Sequence, residues 1–239
     1  MTGCASYNGA PGPDAGSDAP VAMPTDASTD VGVVVDAGTD GPPPCVTLSL
    51  STANGGRLPT LAGRASIGGT QLTLLPADGF AFNQSGSATW TFPASTRITG
   101  SYELAIGSPV SSGYGDGTAI GFYAGTPGAS TPALLGLGAG PGAGAFYDSQ
   151  KSSMSAASRS TFGLGTFGGV RNQPTNTALP TPPFNRKITF EVTSTKVIVD
   201  GASLTTATGP VSAVMLGATC TQENPQGFAV IGFTAQACP

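Results

Sequence analysis

The sequence predicts an all-β fold, a sandwich of two sheets that is preceded by a disordered N-terminal tail. Glycine (36 residues) and proline (21 residues) are spread along the whole chain, which disfavours long helices. Short β-rich segments bounded by turn residues recur after residue 45. No run of about 18 apolar residues is present, so the sequence predicts no membrane-spanning helix.

The first 44 residues differ sharply from the rest of the chain. They contain six Asp and no Lys or Arg, whereas residues 45–239 contain seven acidic and nine basic residues. Residues 5–44 consist mainly of Ala, Gly, Ser, Thr, Pro and Asp, with little to bury, so we predict a disordered tether over 1–44 and one domain over 45–239. The nearly neutral domain presents no basic face for phosphates, which excludes nucleic acid as a partner.

The tether begins with "MTGC", which resembles the cleavage site of bacterial lipoproteins, where the cysteine becomes the lipidated first residue. A signal peptide also needs a charged start and an apolar stretch of about 7 to 15 residues. Only three residues precede Cys4. Two interpretations therefore stay open: the true start lies upstream and Cys4 carries lipid, or Cys4 is an ordinary thiol. The first predicts an exported protein that is lipid-anchored to a bacterial membrane surface.

The three remaining cysteines suggest one disulfide. Cys45 immediately precedes the first predicted strand and Cys238 closes the last one, so the two meet if the terminal strands are antiparallel neighbours. The last strand, about 10 residues at about 3.3 Å each, keeps Cys220 too far from Cys238 for a bridge. We therefore predict a Cys45–Cys238 disulfide. The chain has no histidine and no close cysteine pair, so a zinc site is not expected.

Nine segments after residue 45 are the clearest predicted strands, because they alternate in polarity or are rich in β-formers and end at turn residues. They cover residues 46–51, 70–75, 87–92, 101–107, 118–124, 188–193, 196–201, 211–218 and 228–237. Residues 125–183 are mostly Gly, Ala, Ser, Thr and Pro, and suggest long rim loops interleaved with short strands. This pattern predicts two packed sheets with an inner apolar layer, to which Trp90 contributes.

Four segments together resemble a known family. They are "LAGRASIGGTQLTLLPAD" followed by "QSGSATW", then "GYGDGTAIGFYAG" (113–125), "LLGLGAGPG" (134–142) and "GFTAQA" (232–237). In this order they are similar to the L-type (legume-type) lectin domain, a concanavalin A-like jelly roll. Residues 113–125 resemble the family's "aDGiAFvl" signature, and residues 134–142 resemble its glycine-rich loop. The resemblance covers residues 46–238.

The resemblance implies a carbohydrate site. The aspartate of the Asp-Gly turn would accept hydrogen bonds from sugar hydroxyls, since a carboxylate provides strong charge-assisted acceptors. Backbone N–H groups of the glycine-rich loop would donate, and an aromatic ring would stack on the sugar. The implied ligand-binding residues are Asp116, Gly117, Gly136, Gly138, Gly140, Tyr114 and Tyr147. An alternative is that Asp116 only shapes a tight turn, as Asp200 is expected to do in its hairpin.

Metal binding departs from the family pattern. Members that need Ca²⁺ and a transition metal carry "VEFDT", where this chain has "AFYDS" (145–149). Asp148 matches the aspartate, but Phe146 stands where the metal-binding glutamate belongs. No Asp, Glu or His follows from Ser149 to Lys187. A two-metal site is therefore not expected, and a single Ca²⁺ held by Asp148 and carbonyl oxygens stays open.

The acidic residues give no indication of an enzyme. The seven acids of the domain are isolated in sequence, and histidine is absent, which removes the commonest general base. We therefore expect a non-catalytic carbohydrate-binding domain without a cofactor. Two alternatives remain: a structural or protein-interaction sandwich without a working sugar site, and a glycan-active hydrolase or lyase on the same fold.

Overall fold

A computed structural model describes most of the predicted domain. The described residues are 43–76, 84–107, 117–148, 161–168, 171–172, 177–178, 183–220 and 227–239. The chain divides into two units, Met1–Asp40 and Gly41–Pro239, and the described residues all belong to the second. Cys4 and all but the last two residues of the predicted tether lie outside them.

The described residues form sixteen strands and two short 3₁₀ helices. The strands are β1 (Val46–Ser49), β2 (Thr60–Gly63), β3 (Ser66–Gly68), β4 (Gln71–Leu75), β5 (Gln84–Ser95), β6 (Arg97–Ile106), β7 (Gly117–Tyr123), β8 (Gly142–Asp148), β9 (Thr161–Phe167), β10 (Arg171–Asn172), β11 (Thr177–Ala178), β12 (Phe184–Thr193), β13 (Lys196–Val199), β14 (Ala202–Thr205), β15 (Val211–Cys220) and β16 (Phe228–Cys238). The 3₁₀ helices are Ala53–Gly55 and Pro132–Leu134. Within these ranges, no helix has the length and apolarity needed to cross a membrane.

The strands form two antiparallel sheets of eight strands each. Sheet A has the order β14-β13-β12-β6-β16-β4-β3, with β1 also paired to β16. Sheet B has the order β10-β9-β8-β7-β15-β5-β2, with β11 also paired to β9. The predicted all-β, two-sheet sandwich is confirmed. The region 125–183, where only weak strands were predicted, contributes β8 and β9 to sheet B.

The main core lies between the sheets, because alternate residues of each strand point inward. In β12 the buried residues are Ile188, Phe190 and Val192, with Thr189 and Glu191 on the other face. Burial of this alternating apolar set fixes the register of the strand, since a slip of one residue would expose all three.

Trp90 on β5 is fully buried at the centre of this core, as predicted. Its ring stacks on Phe233 of β16 with centroids 4.2 Å apart. Its Nε1–H donates to the carbonyl oxygens of Ser49 (3.1 Å) and Arg57 (3.0 Å), so the one polar atom of the ring is satisfied. Trp90 therefore serves the core and offers no stacking surface to a ligand.

The β12–β13 hairpin and the turn that follows it also form as predicted. Thr193 pairs with Lys196 at the hairpin end. Asp200 and Gly201 have φ values of 52° and 80° in the β13–β14 turn, where this dipeptide is favoured. The Asp200 carboxylate also forms an ion pair with Arg186 of β12.

A disulfide joins Cys45 to Cys238, the pair expected from the sequence, with Cα atoms 4.3 Å apart. It forms because β1 pairs antiparallel with the end of β16, which brings Val46 opposite Ala237. Cys238 is also paired with Arg97, where β6 begins. We call this end of the sandwich the disulfide pole.

Candidate functional site

The predicted Asp-Gly turn leads into the opposite end of the sandwich. β7 begins at Gly117, which is paired with Asp148 at the end of β8 and with Thr219 near the end of β15. Asp116 and Tyr114 lie outside the described residues, but Asp116 immediately precedes Gly117 in the chain. We call this end of sheet B, defined by Gly117, Asp148 and Thr219, the Asp116 rim.

The direction of β15 fixes the distance between the rim and the disulfide pole. β15 is antiparallel to β5, with Val211 opposite Ser95 and Cys220 opposite Gln84. Ser95 lies next to the start of β6, and the N–H of Thr96 donates to the Cys238 carbonyl oxygen (2.9 Å). Since β15 has ten residues, the rim and the pole are about 30 Å apart.

A loop covers the outer face of sheet B, the face turned away from sheet A. This cover loop, residues 128–141, contains the glycine-rich segment. Its two arms are bonded to each other, from the Gly128 N–H to the Ala139 carbonyl (2.7 Å) and from the Thr131 N–H to the Leu137 carbonyl (2.9 Å). All seven residues of β7 are buried, because sheet A covers one of its faces and the cover loop the other.

Leucines of the cover loop pack on sheet B in a second apolar cluster. Around them, the rings of Tyr123 and Phe167 meet edge to face at 5.1 Å, and those of Phe146 and Phe167 at 5.7 Å. The members of this outer cluster are Ala119, Tyr123, Leu134, Leu135, Leu137, Phe146, Phe167, Ala213 and Met215. The cluster attaches the loop through burial of apolar surface.

Gly136 brings the cover loop to the Asp116 rim. A Cβ at Gly136 would lie 2.5 Å from both the N and the O of Ala218, and a Cβ at Gly217 would lie 2.4 Å from the carbonyl carbon of Gly136. Backbone rests directly on backbone here, which only glycine permits. Ala218 is paired with Thr118, two residues after Asp116. The two predicted site segments therefore meet at the same end of sheet B.

Two residues after Gly136, the loop is also fixed by hydrogen bonds from sheet B. The Tyr123 hydroxyl donates to the Gly138 carbonyl oxygen (3.0 Å), and the Gly138 N–H donates to the sulfur of Met215 (3.1 Å). Within the loop, the Ser130 hydroxyl donates to the Gly136 carbonyl oxygen (2.7 Å). Burial raises the pKa of Tyr123 well above its ordinary value, so the hydroxyl keeps its proton.

The glycine N–H groups do not serve as predicted. The Gly136 N–H donates to the Thr131 carbonyl oxygen (3.0 Å) within the loop, and the Gly138 N–H donates to Met215 of sheet B, so both donors are already used. Gly140 lies beside the ring of Tyr123, at the end of β7 far from the Asp116 rim. The loop therefore shapes the rim. The prediction that its N–H groups donate to a ligand is wrong for Gly136 and Gly138, and Gly140 lies away from the rim.

Tyr147 is not placed to stack on a sugar either. It is only 3% exposed, and its ring meets that of Phe184 at 5.5 Å in the core between the sheets. Alternation along β8 turns Tyr147 toward sheet A and Phe146 toward the cover loop. A stacking ring must present a face to solvent, so the prediction for Tyr147 is wrong, and the prediction for Tyr114 lies outside the described residues.

The residues around the loop do not fit the Ca²⁺ and transition-metal site of the L-type lectin family that the sequence resembles. Phe146, at the glutamate position, is fully buried in the outer cluster. Across the described ranges, no three His, Cys, Asp or Glu residues lie close enough to hold a metal ion. Asp148, the possible Ca²⁺ ligand, is the last residue of β8 and lies opposite Gly117 in the strand register.

Sequence reasoning missed the residues that hold the loop, namely Ser130, Tyr123 and Met215. One indication was present in "GTAIGFY", the segment that forms β7. It has apolar or small residues at both parities, which is typical of a strand covered on both faces.

No protein-family model and no curated protein matches this chain. Solved structures do match it. The Ca²⁺-bound form of the VIP36 exoplasmic/lumenal domain has a TM-score of 0.62 at 10% identity, covering 81% of this chain and 89% of that chain. The fold is that of the L-type lectins.

Plant lectins share this L-type lectin fold. Lectin II from Ulex europaeus has a TM-score of 0.61 at 12% identity, covering 83% of this chain and 100% of that chain. Peanut lectin in complex with a 9mer peptide has a TM-score of 0.58 at 13% identity, covering 81% and 97%. At such identities the likeness shows the fold alone, and it confirms the predicted concanavalin A-like sandwich.

Proposed function

We propose that this domain is a non-catalytic, lectin-like domain that binds carbohydrate at the Asp116 rim. The observation that carries the proposal is the contact of Gly136 with Ala218, which sets the cover loop beside the start of β7, two residues from Asp116. The fold is shared with lectins, and the VIP36 domain has been solved with Ca²⁺ and mannose.

Recognition at this rim relies mainly on Asp116. Its carboxylate accepts hydrogen bonds from neighbouring sugar hydroxyls, Gly117 lets the chain approach the ring closely, and Tyr114 supplies the stacking face. The cover loop forms a wall of the site, since the N–H groups of Gly136 and Gly138 are already used. Affinity per site is roughly millimolar to micromolar, so many copies on one surface are needed for tight attachment.

The proposal includes export and tethering. A disulfide is typical of oxidising compartments outside the cytosol, and this domain has one between Cys45 and Cys238. The chain enters the domain at Cys45, at the pole opposite the Asp116 rim. Residues 1–44 form the tether, and a lipid on Cys4 anchors it to a bacterial membrane surface.

A second candidate is a structural or protein-interaction sandwich without a sugar site. It is favoured by the burial of Tyr147 and by the internal hydrogen bonds of Gly136 and Gly138, which leave fewer ligand contacts at the rim. A glycan-active enzyme has less support, because the Glu191 and Asp200 carboxylates are engaged in ion pairs with Arg97 and Arg186.

A glycan-array screen of the full chain tests the proposal, run with Ca²⁺ and with chelator. Asp116→Ala removes the proposed acceptor. Glu103→Ala is the matched control, because Glu103 is an acid on β6 of sheet A, opposite Lys187 of β12 in the strand register. Loss of a charge-assisted hydrogen bond should weaken binding by about 10- to 100-fold in the first variant and leave the second unchanged. Chelator sensitivity would indicate that Asp148 helps to hold Ca²⁺.

Two results would count against the proposal. If the wild type binds no glycan under either condition, the lectin function fails and the protein-interaction candidate takes its place. If Asp116→Ala binds as well as the wild type, the sugar site lies elsewhere. Lipidation is tested separately by comparing the membrane fraction and mass of the wild type with those of Cys4→Ser.

A further inference from the structure

We infer that side chains of sheet B, and not a metal ion, hold the cover loop in its binding shape, with Tyr123 and Met215 as positioning residues. This inference rests on the proposed carbohydrate function at the Asp116 rim, and it identifies what organises that site. It predicts that the shape of the loop is independent of divalent cations.

The first support is the clamp on Gly138. Tyr123 binds its carbonyl oxygen and Met215 its N–H, so the residue is held on both sides. The two clamping residues come from neighbouring strands, since Ala213 of β15 is paired with Tyr123 and Met215 with Gly121. Contacts from two adjacent strands fix Gly138 both along the plane of the sheet and in its distance from the sheet.

The second support is the short path from the clamp to the rim. Only Leu137 separates Gly138 from Gly136, and Leu137 is fully buried in the outer cluster. Leu135 and Gly136 both have positive φ values, 52° and 82°, which direct this turn onto Ala218. Because the path is so short and so fully packed, a shift at Gly138 moves Gly136 at the rim.

The third support is the chemistry beneath the loop. A hard cation such as Ca²⁺ takes six to eight oxygen ligands. The outer cluster beneath the loop consists of Ala, Leu, Phe and Met residues and Tyr123, which brings one hydroxyl oxygen there. That hydroxyl already donates to Gly138. The VIP36 domain has been solved in both Ca²⁺-bound and metal-free forms. Here the space under the loop is filled by packed apolar side chains.

Hydrogen exchange of the full chain tests the clamp without any ligand. Amides of residues 134–139 should exchange at the same rate with Ca²⁺ and with EDTA. Tyr123→Phe removes the hydroxyl and keeps the ring, and should speed this exchange about tenfold. Met215→Leu removes the sulfur acceptor at similar volume and should act in the same direction. The control Tyr102→Phe makes the same deletion at a buried tyrosine of sheet A and should leave these amides unchanged.

Glycan affinity supplies the second readout. Tyr123→Phe should weaken binding while Tyr102→Phe does not, even where both have the same melting temperature. Faster exchange of the wild-type loop in EDTA would overturn the inference, and so would wild-type exchange rates in Tyr123→Phe. A wild type that binds no glycan, yet shows cation-independent protection that is lost in Tyr123→Phe, would refute the proposed function and leave the clamp standing.

Discussion

Replacing Gly136 by alanine should destabilise the domain more than a glycine substitution in a turn ordinarily does. The residue has φ +82°, which costs an alanine about 1 kcal/mol. The new Cβ would also lie 2.5 Å from the N and O of Ala218, and backbone atoms cannot rotate away as a side chain can. Overpacking of this kind costs about 1–3 kcal/mol. The expected loss is therefore about 2–4 kcal/mol, a large part of a typical stability.

Three other glycines separate the two contributions. Gly68 has an ordinary φ and open space around its Cβ position, so Gly68→Ala should be neutral or slightly stabilising. Gly69 has φ +60° and open space, so its alanine variant should lose about 1 kcal/mol. Gly217 has an ordinary φ but meets Gly136 at 2.4 Å, so it isolates the clash. The Gly136/Gly217 double variant should lose less than the sum of the two, because both substitutions disturb one contact.

Urea unfolding followed by fluorescence measures these differences, since Trp90 is the only tryptophan and is fully buried. Midpoints are compared at constant m value, so that a change reports the free energy of unfolding. If Gly136→Ala were within about 0.5 kcal/mol of Gly69→Ala, a difference typical of neutral surface changes, the cover loop would not rest on β15. Both the rim and the clamp would then need a different explanation.

Two further predictions concern stability. The disulfide closes a loop with a sequence separation of 193, for which the chain-entropy estimate is about 5 kcal/mol. The Cys45→Ser/Cys238→Ser variant should therefore lose about 2–5 kcal/mol in urea, and a reductant that leaves the wild-type midpoint unchanged would contradict this. Burial raises the pKa of Tyr102, with a smaller effect from the negative charge of Asp200, and burial also raises that of Tyr123. Unfolded tyrosines lose their protons near pH 10 while these two keep theirs, so their contribution to stability should be constant below about pH 10 and fall above it by up to about 1.4 kcal/mol per pH unit for each tyrosine. A Tyr102→Phe/Tyr123→Phe variant should show a shallower slope, and an unchanged slope would refute the assignment.

The sequence predicted those parts of the fold that depend on local alternation. In β12, polar and apolar residues alternate cleanly, so both the strand and its buried face followed from the pattern. The short strands β2 and β3 have no buried residue and gave no such pattern. The pairing of Cys45 with Cys238 could be expected because both cysteines flank terminal strands.

The candidate site was predictable only in part, because its geometry depends on contacts between distant segments. β8 reads "GAGAFYD", and its small residues occur at both parities, so the sequence did not indicate whether Phe146 or Tyr147 faces outward. The structure resolves this by packing Tyr147 on Phe184 and Phe146 under the cover loop. The bond between Tyr123 and Gly138 likewise depends on how the loop folds back over its own strand.

If residues 1–44 tether the domain as proposed, mechanical load would reach it through the disulfide pole. Tension along the proposed tether would enter at Cys45, and the disulfide would pass it to Cys238, so the pull alone could not peel β1 from β16. The force spreads instead along β16, which is paired with β6 at nine positions. A ligand bound at the proposed site on the Asp116 rim would pull from the far end of the strands, so the sheets would be loaded along their length. In that direction many backbone hydrogen bonds resist together, and the domain should hold its grip under a drag that would open a sandwich pulled from one unclasped strand.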